Sequence, residues 1–221
     1  MTLQLLKDKK KDLSIGLMGG TFDPIHLGHL VIAEEVRIQY ELDHVIFVPS
    51  GRPPHKVGDT SIYREHRYMM TVLATITNPF FTVSRVEIDK PLGTTTYTID
   101  TVKYFYEYFN EKVNLFFITG ADAILEIITW KDYKELLSLC SFIAATRPGY
   151  HLSKLHETIG AVCPHVLKNI HILEIPAVAI SSTLIRQRVS EGKTIKYLTP
   201  ESVTQYILKN RLYQQHNDSE V

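Results

Sequence analysis

Short apolar runs alternate along this chain with stretches in which apolar positions recur at helical spacing. The β-type runs are residues 13–18, 44–49, 81–88, 113–119, 141–146 and 170–175. Most are continuously apolar instead of alternating, as strands covered on both faces require. Helical periodicity fits residues 30–40, 63–76, 99–109 and 133–139, and residues 182–189 and 201–208 close the chain. Strand and helix in succession imply right-handed crossovers. The predicted fold class is therefore α/β: a single Rossmann-like, doubly wound, mainly parallel sheet with helices on both faces. Ligands of such sheets bind beyond the carboxyl ends of the strands, so the loops after the first, second, fourth and sixth strands come first.

The sequence splits into a charged tail over residues 1–12, a folded domain over 13–213 and a polar tail over 214–221. Lys7, Lys9, Lys10 and Lys11 make the first segment read as solvated. No apolar stretch approaches the roughly 20 residues of a membrane span, and the expectation is a cytoplasmic protein without a membrane partner. Across the chain 24 Lys and Arg balance 24 Asp and Glu. That balance excludes a general nucleic-acid binder, which needs surplus positive charge. Two cysteines, Cys140 and Cys163, build no disulfide framework and read as reduced structural thiols. Homo-oligomer formation is left open by the sequence.

Chemistry concentrates in the first loop: Gly19-Gly20-Thr21-Phe22-Asp23-Pro24-Ile25-His26-Leu27-Gly28-His29. It follows a strand and precedes a helix. Paired glycines permit a tight turn and close approach to a ligand, and the helix start offers unpaired N–H groups and the positive end of its dipole. Such a loop suits an anion. His26 and His29, three positions apart, share a helix face and can donate to phosphate oxygens.

Other readings of the glycines and histidines fit less well. The G-x-G-x-x-G dinucleotide pattern is not met by Gly16, Gly19 and Gly20, and Gly192-Lys193-Thr194 lacks the glycine that a Walker A loop needs at position 187. Zinc on His26 and His29 wants a third ligand that no nearby spacing provides, so no metal-ligating residue is predicted. The remaining histidines, His44, His55, His66, His151, His156, His165 and His171, read as surface or core residues. The aromatic stripe Tyr104, Phe105, Tyr108 and Phe109 reads as helix core. A second candidate element is Ile180-Ser181-Ser182-Thr183-Leu184-Ile185-Arg186, in which serine caps a helix and Arg186 adds a fork of donors on its first turn.

Gly19 to His29 resembles the G-G-T-F-D-P-x-H-x-G-H signature of the HxGH nucleotidyltransferases, and Ile180 to Arg186 resembles that superfamily's I-S-S-T-x-I-R element. Further pieces are similar in order and spacing to the bacterial nicotinate-nucleotide adenylyltransferases. They are Pro49-Ser50-Gly51-Arg52-Pro53-Pro54-His55-Lys56, Tyr97-Thr98-Ile99-Asp100-Thr101, Gly120-Ala121-Asp122 with Trp130, and Thr146-Arg147-Pro148-Gly149. The likeness spans residues 13–213. It departs at Thr94-Thr95-Thr96, where Gly-Pro-Ser is more usual, and in the extra residues before Leu13.

What the resemblance implies is transfer of an adenylyl group from ATP to nicotinate mononucleotide, with magnesium carried on the triphosphate. His26 and His29 are then the catalytic pair. Gly19, Gly20, Thr21 and Phe22 would join them in binding ATP, along with Ser181, Ser182, Thr183 and Arg186. Lys56, Tyr97, Thr98, Gly120, Asp122, Trp130 and Arg147 would bind the acceptor, Trp130 by ring stacking. Two alternatives stay open: another acceptor, nicotinamide mononucleotide or phosphopantetheine, and a non-catalytic nucleotide-binding protein of the same fold.

Overall fold

The computed structural model describes residues 3–7, 12–52, 64–146, 168–175 and 179–214. Six strands form one sheet: β1 (Leu13–Gly20), β2 (His44–Pro49), β3 (Phe81–Val83), β4 (Val113–Gly120), β5 (Ser141–Thr146) and β6 (Ile170–Glu174). All neighbouring strands are parallel, in the order β3-β2-β1-β4-β5-β6. The order reverses between β1 and β4, the crevice in which a doubly wound sheet binds its ligand.

The helices are α1 (Leu3–Lys7), α2 (Leu27–Gln39), α3 (Arg64–Thr75), α4 (Thr98–Tyr108), α5 (Ala121–Leu125), α6 (Tyr133–Leu139), α7 (Ser182–Ser190) and α8 (Glu201–Lys209), with a 3₁₀ turn at Ile127–Thr129. Two cores result, one on each face of the sheet. Ile15, Leu17, Ile46, Val102, Phe105 and Phe142 build the first; Met18, Val36, Phe47, Met70, Ile143 and Ile185 build the second. Alternate residues of β1 thus serve opposite faces, which is why its run reads as continuously apolar. Among the described residues no helix is long and apolar enough to cross a membrane.

Three local expectations are corrected. The stretch read as a solvated tail contains α1, whose Leu6 is fully buried in the first core, and Lys7 Nζ lies 4.9 Å from the Tyr108 ring centroid. Apolar burial of Leu6 outweighs the solvation of its lysine neighbours. The third strand stops at Val83, not residue 88, because the chain turns where Asp89 N–H donates to the Arg85 carbonyl. Beyond the strand Glu87 turns inward along with Ser84 and Ile88, and its buried carboxylate accepts from Gly51 N–H and Thr101 Oγ1. In the aromatic stripe Phe105 and Phe109 are core, whereas Tyr104 is exposed. Cys140 is buried, donates to the Leu136 carbonyl at 3.6 Å, and has its thiol pushed up to about 12 by that burial, the state of an unreactive core thiol; Cys163 lies outside the described residues.

Candidate functional site

Gly19 and Gly20 are the last residues of β1, and the reversal falls on Phe22, at φ 49°. The turn expected at the glycines therefore belongs to a phenylalanine. A left-handed backbone costs such a residue roughly 1 to 2 kcal/mol, which ring burial offsets. Phe22 is almost fully buried, with its ring centroid 5.8 Å from that of Phe47. The glycines instead make space: a Cβ at Gly20 would lie 2.8 Å from the Phe22 ring, and one at Gly19 would lie 2.8 Å from the Phe117 ring.

Beyond this reversal, His26 caps α2 in an extended conformation and its N–H donates to His29 Nδ1 at 3.2 Å. Since Nδ1 accepts, the neutral His29 ring carries its proton on Nε2. The two imidazoles stack with centroids 3.7 Å apart, and the Phe22 ring meets His29 edge-on at 5.1 Å. Gly28 is required by this pairing, since a Cβ there would stand 3.0 Å from His26 Nδ1. That Nδ1 is buried and has no hydrogen-bond partner among the described residues, an orphan of the kind that marks a ligand site.

Both rings are neutral. Burial lowers His26 to about 4, and burial followed by the proximity of His26 lowers His29 to about 3. With folded values below the ordinary 6.5, the unfolded chain takes up protons that the native chain refuses. The stability tied to these rings is therefore complete above about pH 6.5 and is lost on acidification, by about 1.4 kcal/mol per pH unit per ring. In the ligand-free protein the Cε1–H NMR resonances of both rings are expected to keep their neutral positions down to about pH 5. A midpoint near 6.5 for either ring would contradict this environment.

The second element arrives beside the first. Ser181 caps α7, accepting from Leu184 N–H at 3.2 Å, while Ile185 and Val189 anchor the helix in the core. From its first turns, Ser182 Oγ donates to the Pro24 carbonyl at 2.8 Å and Arg186 Nη1 donates to the Asp23 carbonyl at 2.7 Å. Arg186 Nη2 also reaches Thr183 Oγ1 at 3.4 Å. Two segments more than 150 residues apart are thus bonded into one cradle of helix starts, hydroxyls, neutral imidazoles and a guanidinium.

The expected acceptor residues flank the same end of the sheet. Tyr97 caps α4 and Thr98 is its first residue; Gly120 ends β4 and caps α5, on which Asp122 is exposed. Trp130 follows the 3₁₀ turn, half-buried, its ring edge-on to Phe117 at 6.0 Å and to Phe142 at 6.3 Å. Phe117 therefore lies between Gly19 and Trp130, linking the two halves. Lys56 and Arg147 fall outside the described residues.

Sequence reasoning missed three residues. Lys131 Nζ stands 4.6 Å from the Tyr97 ring centroid and 3.7 Å from Asp100 Oδ1; its only sequence signal is its place after Trp130. Tyr213 OH donates to Asp23 Oδ1 at 2.6 Å, tying the segment after α8 to the histidine loop, and burial then that carboxylate raise its phenol far above the usual range. Arg67, fully buried, donates to the Thr21 carbonyl at 2.7 Å. It could have been found as an arginine on the apolar stripe of α3, in step with Met70, Thr71, Ala74 and Thr75.

A six-stranded parallel sheet with this loop at its switch point defines a nucleotidyltransferase-type fold, and residues 17–188 match the cytidylyltransferase-like family model, so the chain belongs to that family. A protein of Thermoanaerobacter sp. (strain X514), described as a probable nicotinate-nucleotide adenylyltransferase, is 53% identical over 212 residues, covering 96% of this chain and all of the relative. One from Moorella thermoacetica with the same description is 54% identical over 204 residues, 92% of this chain and 93% of the relative. Among solved structures, Plasmodium falciparum nicotinic acid mononucleotide adenylyltransferase complexed with APC superposes with a TM-score of 0.68 at 21% identity, covering 91% of this chain and 97% of that one. The same enzyme complexed with NaAD gives 0.68 at 20%. These likenesses bear on the fold.

Proposed function

We propose that this protein transfers the adenylyl group of ATP to nicotinate mononucleotide, releasing pyrophosphate and forming nicotinic acid adenine dinucleotide. The observation that carries the reading is the stacked, neutral His26–His29 pair at the start of α2, bonded through Asp23 and Pro24 to the Ser182 and Arg186 helix. The descriptions of full-length relatives at 53% and 54% identity support it.

The acceptor's phosphate monoester is already largely dianionic at neutral pH, its second pKa being about 6, so attack on the α-phosphorus needs no protein base. The work of the site is alignment and charge stabilisation. His29 donates from Nε2 to the α-phosphate and His26 supports it; Thr21 and Phe22 supply backbone contacts; Gly19 and Gly20 leave room for the Phe117 and Phe22 rings that back the loop. Ser181, Ser182, Thr183 and Arg186 hold the β- and γ-phosphates that leave as pyrophosphate. On the acceptor side Trp130 offers a ring face to the pyridine, with Gly120, Asp122, Lys56 and Arg147 around the nucleotide. Tyr97 and Thr98 form the positive end of the α4 dipole, which favours a nicotinate carboxylate over a neutral carboxamide.

Magnesium fits this cradle as the companion of the triphosphate. Among the described residues no three of His, Cys, Asp and Glu gather to hold an ion, and the one guanidinium of the α7 start does not balance a triphosphate, so phosphate oxygens and water would hold it. Bound there, it neutralises charge on the leaving pyrophosphate.

The test is a side-by-side assay with ATP, magnesium and either pyridine mononucleotide. The nicotinate form is expected to release pyrophosphate with the higher kcat/KM, by about tenfold or more, since the two acceptors differ by one charge beside a helix start. No pyrophosphate with either acceptor overturns the proposal; equal rates remove the nicotinate specificity from it.

A further inference from the structure

Arg67 has no solvent exposure at all, an unusual place for a guanidinium. Its fork is divided between two loops: Nη1 donates to the Thr21 carbonyl at 2.7 Å and Nη2 to the Gly51 carbonyl at 3.3 Å. Thr21 belongs to the loop after β1 that carries the histidines, and Gly51 to the loop after β2 that runs into the Pro53-Pro54 segment. Two carboxylates compensate the buried charge, and each anchors one of those loops. Asp23, beside Thr21, accepts from Tyr213 OH at 2.6 Å. Glu87 accepts from Gly51 N–H at 3.3 Å and from Thr101 Oγ1, on α4, at 2.7 Å. Asp23 and Glu87 both act on Arg67 electrostatically.

This is a costly way to make a core. An apolar side chain of similar volume at the same place on α3 would avoid the desolvation of the guanidinium, but by itself it would leave the Glu87 carboxylate buried without its cation. What an apolar chain cannot do is tie two backbone carbonyls in different loops to one rigid plane. We propose that Arg67 is a positioning residue for adenylyl transfer, a buried strut whose fork fixes the Thr21 carbonyl of the histidine loop against the Gly51 carbonyl of the neighbouring loop. The strut rests on the transfer reaction proposed above, because the loop it holds through Thr21 carries the histidines assigned to that reaction. It touches neither substrate, and its effect reaches the reaction through the loops it ties.

Arg67→Lys keeps the charge but replaces the fork with a single nitrogen, which does not hold both carbonyls in that geometry. Its kcat for pyrophosphate release is expected to fall about 10²-fold while KM for ATP and for the acceptor stays within about threefold, the pattern of misaligned but bound reactants. Arg67→Met removes the charge as well and leaves Glu87 buried without its cation, so a loss of stability is expected on top of the same loss of kcat, which is read at a temperature where circular dichroism shows the variant folded. Hydrogen exchange gives a reading that needs no turnover: the amides of His26 and Gly51, which donate to His29 Nδ1 and to the Glu87 carboxylate, should exchange faster in both variants together, while those of β4 and β5 stay as in the wild type. A wild-type kcat in either variant, a loss that vanishes at temperatures where circular dichroism shows the variant fully folded, or unchanged exchange at either loop overturns the strut. Absence of turnover in the wild-type protein overturns instead the reaction on which the strut's role rests.

Discussion

Replacing His29 with alanine is expected to lower kcat by about 10²- to 10³-fold, the usual cost of removing one donor to a transition-state oxygen. The ring is held for that task from three sides. Its Nδ1 accepts from the His26 N–H, its face stacks on His26 and its edge meets Phe22, which leaves Nε2 as the donor. Because burial keeps the ring neutral, its proton is available as a hydrogen bond without the ring carrying a charge that His26 would oppose. The fold should survive, since the lost bond to the His26 N–H resembles a helix cap worth about 1 kcal/mol. Steady-state pyrophosphate release, with circular dichroism as the control for folding, reads the effect. A kcat within about threefold of the wild type would take His29 out of the reaction.

The second large effect falls on the neighbouring loop and on stability. A Cβ at Gly51 would stand 2.4 Å from the Glu87 carbonyl oxygen and 3.0 Å from Thr96 Cγ2. The nearer atom is backbone, so the overlap cannot be relieved by rotating a side chain. Gly51→Ala is expected to destabilise the protein by about 3 kcal/mol, near the upper end for overpacking, with a Tm lower by roughly 6 to 12 °C for a domain of this size. Its displacement also strains the bonds that Gly51 makes with Glu87 and Arg67. Gly120→Ala is the matched control, because nothing lies within 4 Å of its added Cβ, and its Tm should move little. Equal thermal melts for the two variants would contradict the packing described around Gly51.

The sheet was legible because its strands are buried on both faces, and continuous apolar runs such as Val45 to Val48 have few other uses. The run from Phe81 misled for the opposite reason. Its apolar positions continue through Val86 and Ile88, but Glu87 turns inward to serve Gly51 and Thr101, a tertiary contact that local pattern does not encode. In the site, the double glycine drew the turn to itself, whereas Phe22 takes the left-handed conformation because burial of its ring outweighs the backbone cost. The spacing of His26 and His29 announced a shared helix face; their stacking, and the orphan Nδ1 that Gly28 leaves room for, depend on burial that sequence does not display. Arg67 and Tyr213 were invisible as site residues because they act from behind the loop. A charge on an apolar stripe was the one written sign of Arg67.

The fate of the ATP phosphorus atoms tests the central claim most directly. With ATP labelled at the α-phosphorus, the label is expected in the dinucleotide; with ATP labelled at the γ-phosphorus, it is expected in pyrophosphate and in no other product. Appearance of the γ-label on the acceptor, or of the α-label only in nucleotides that lack the pyridine, would contradict adenylyl transfer at the His26–His29 loop.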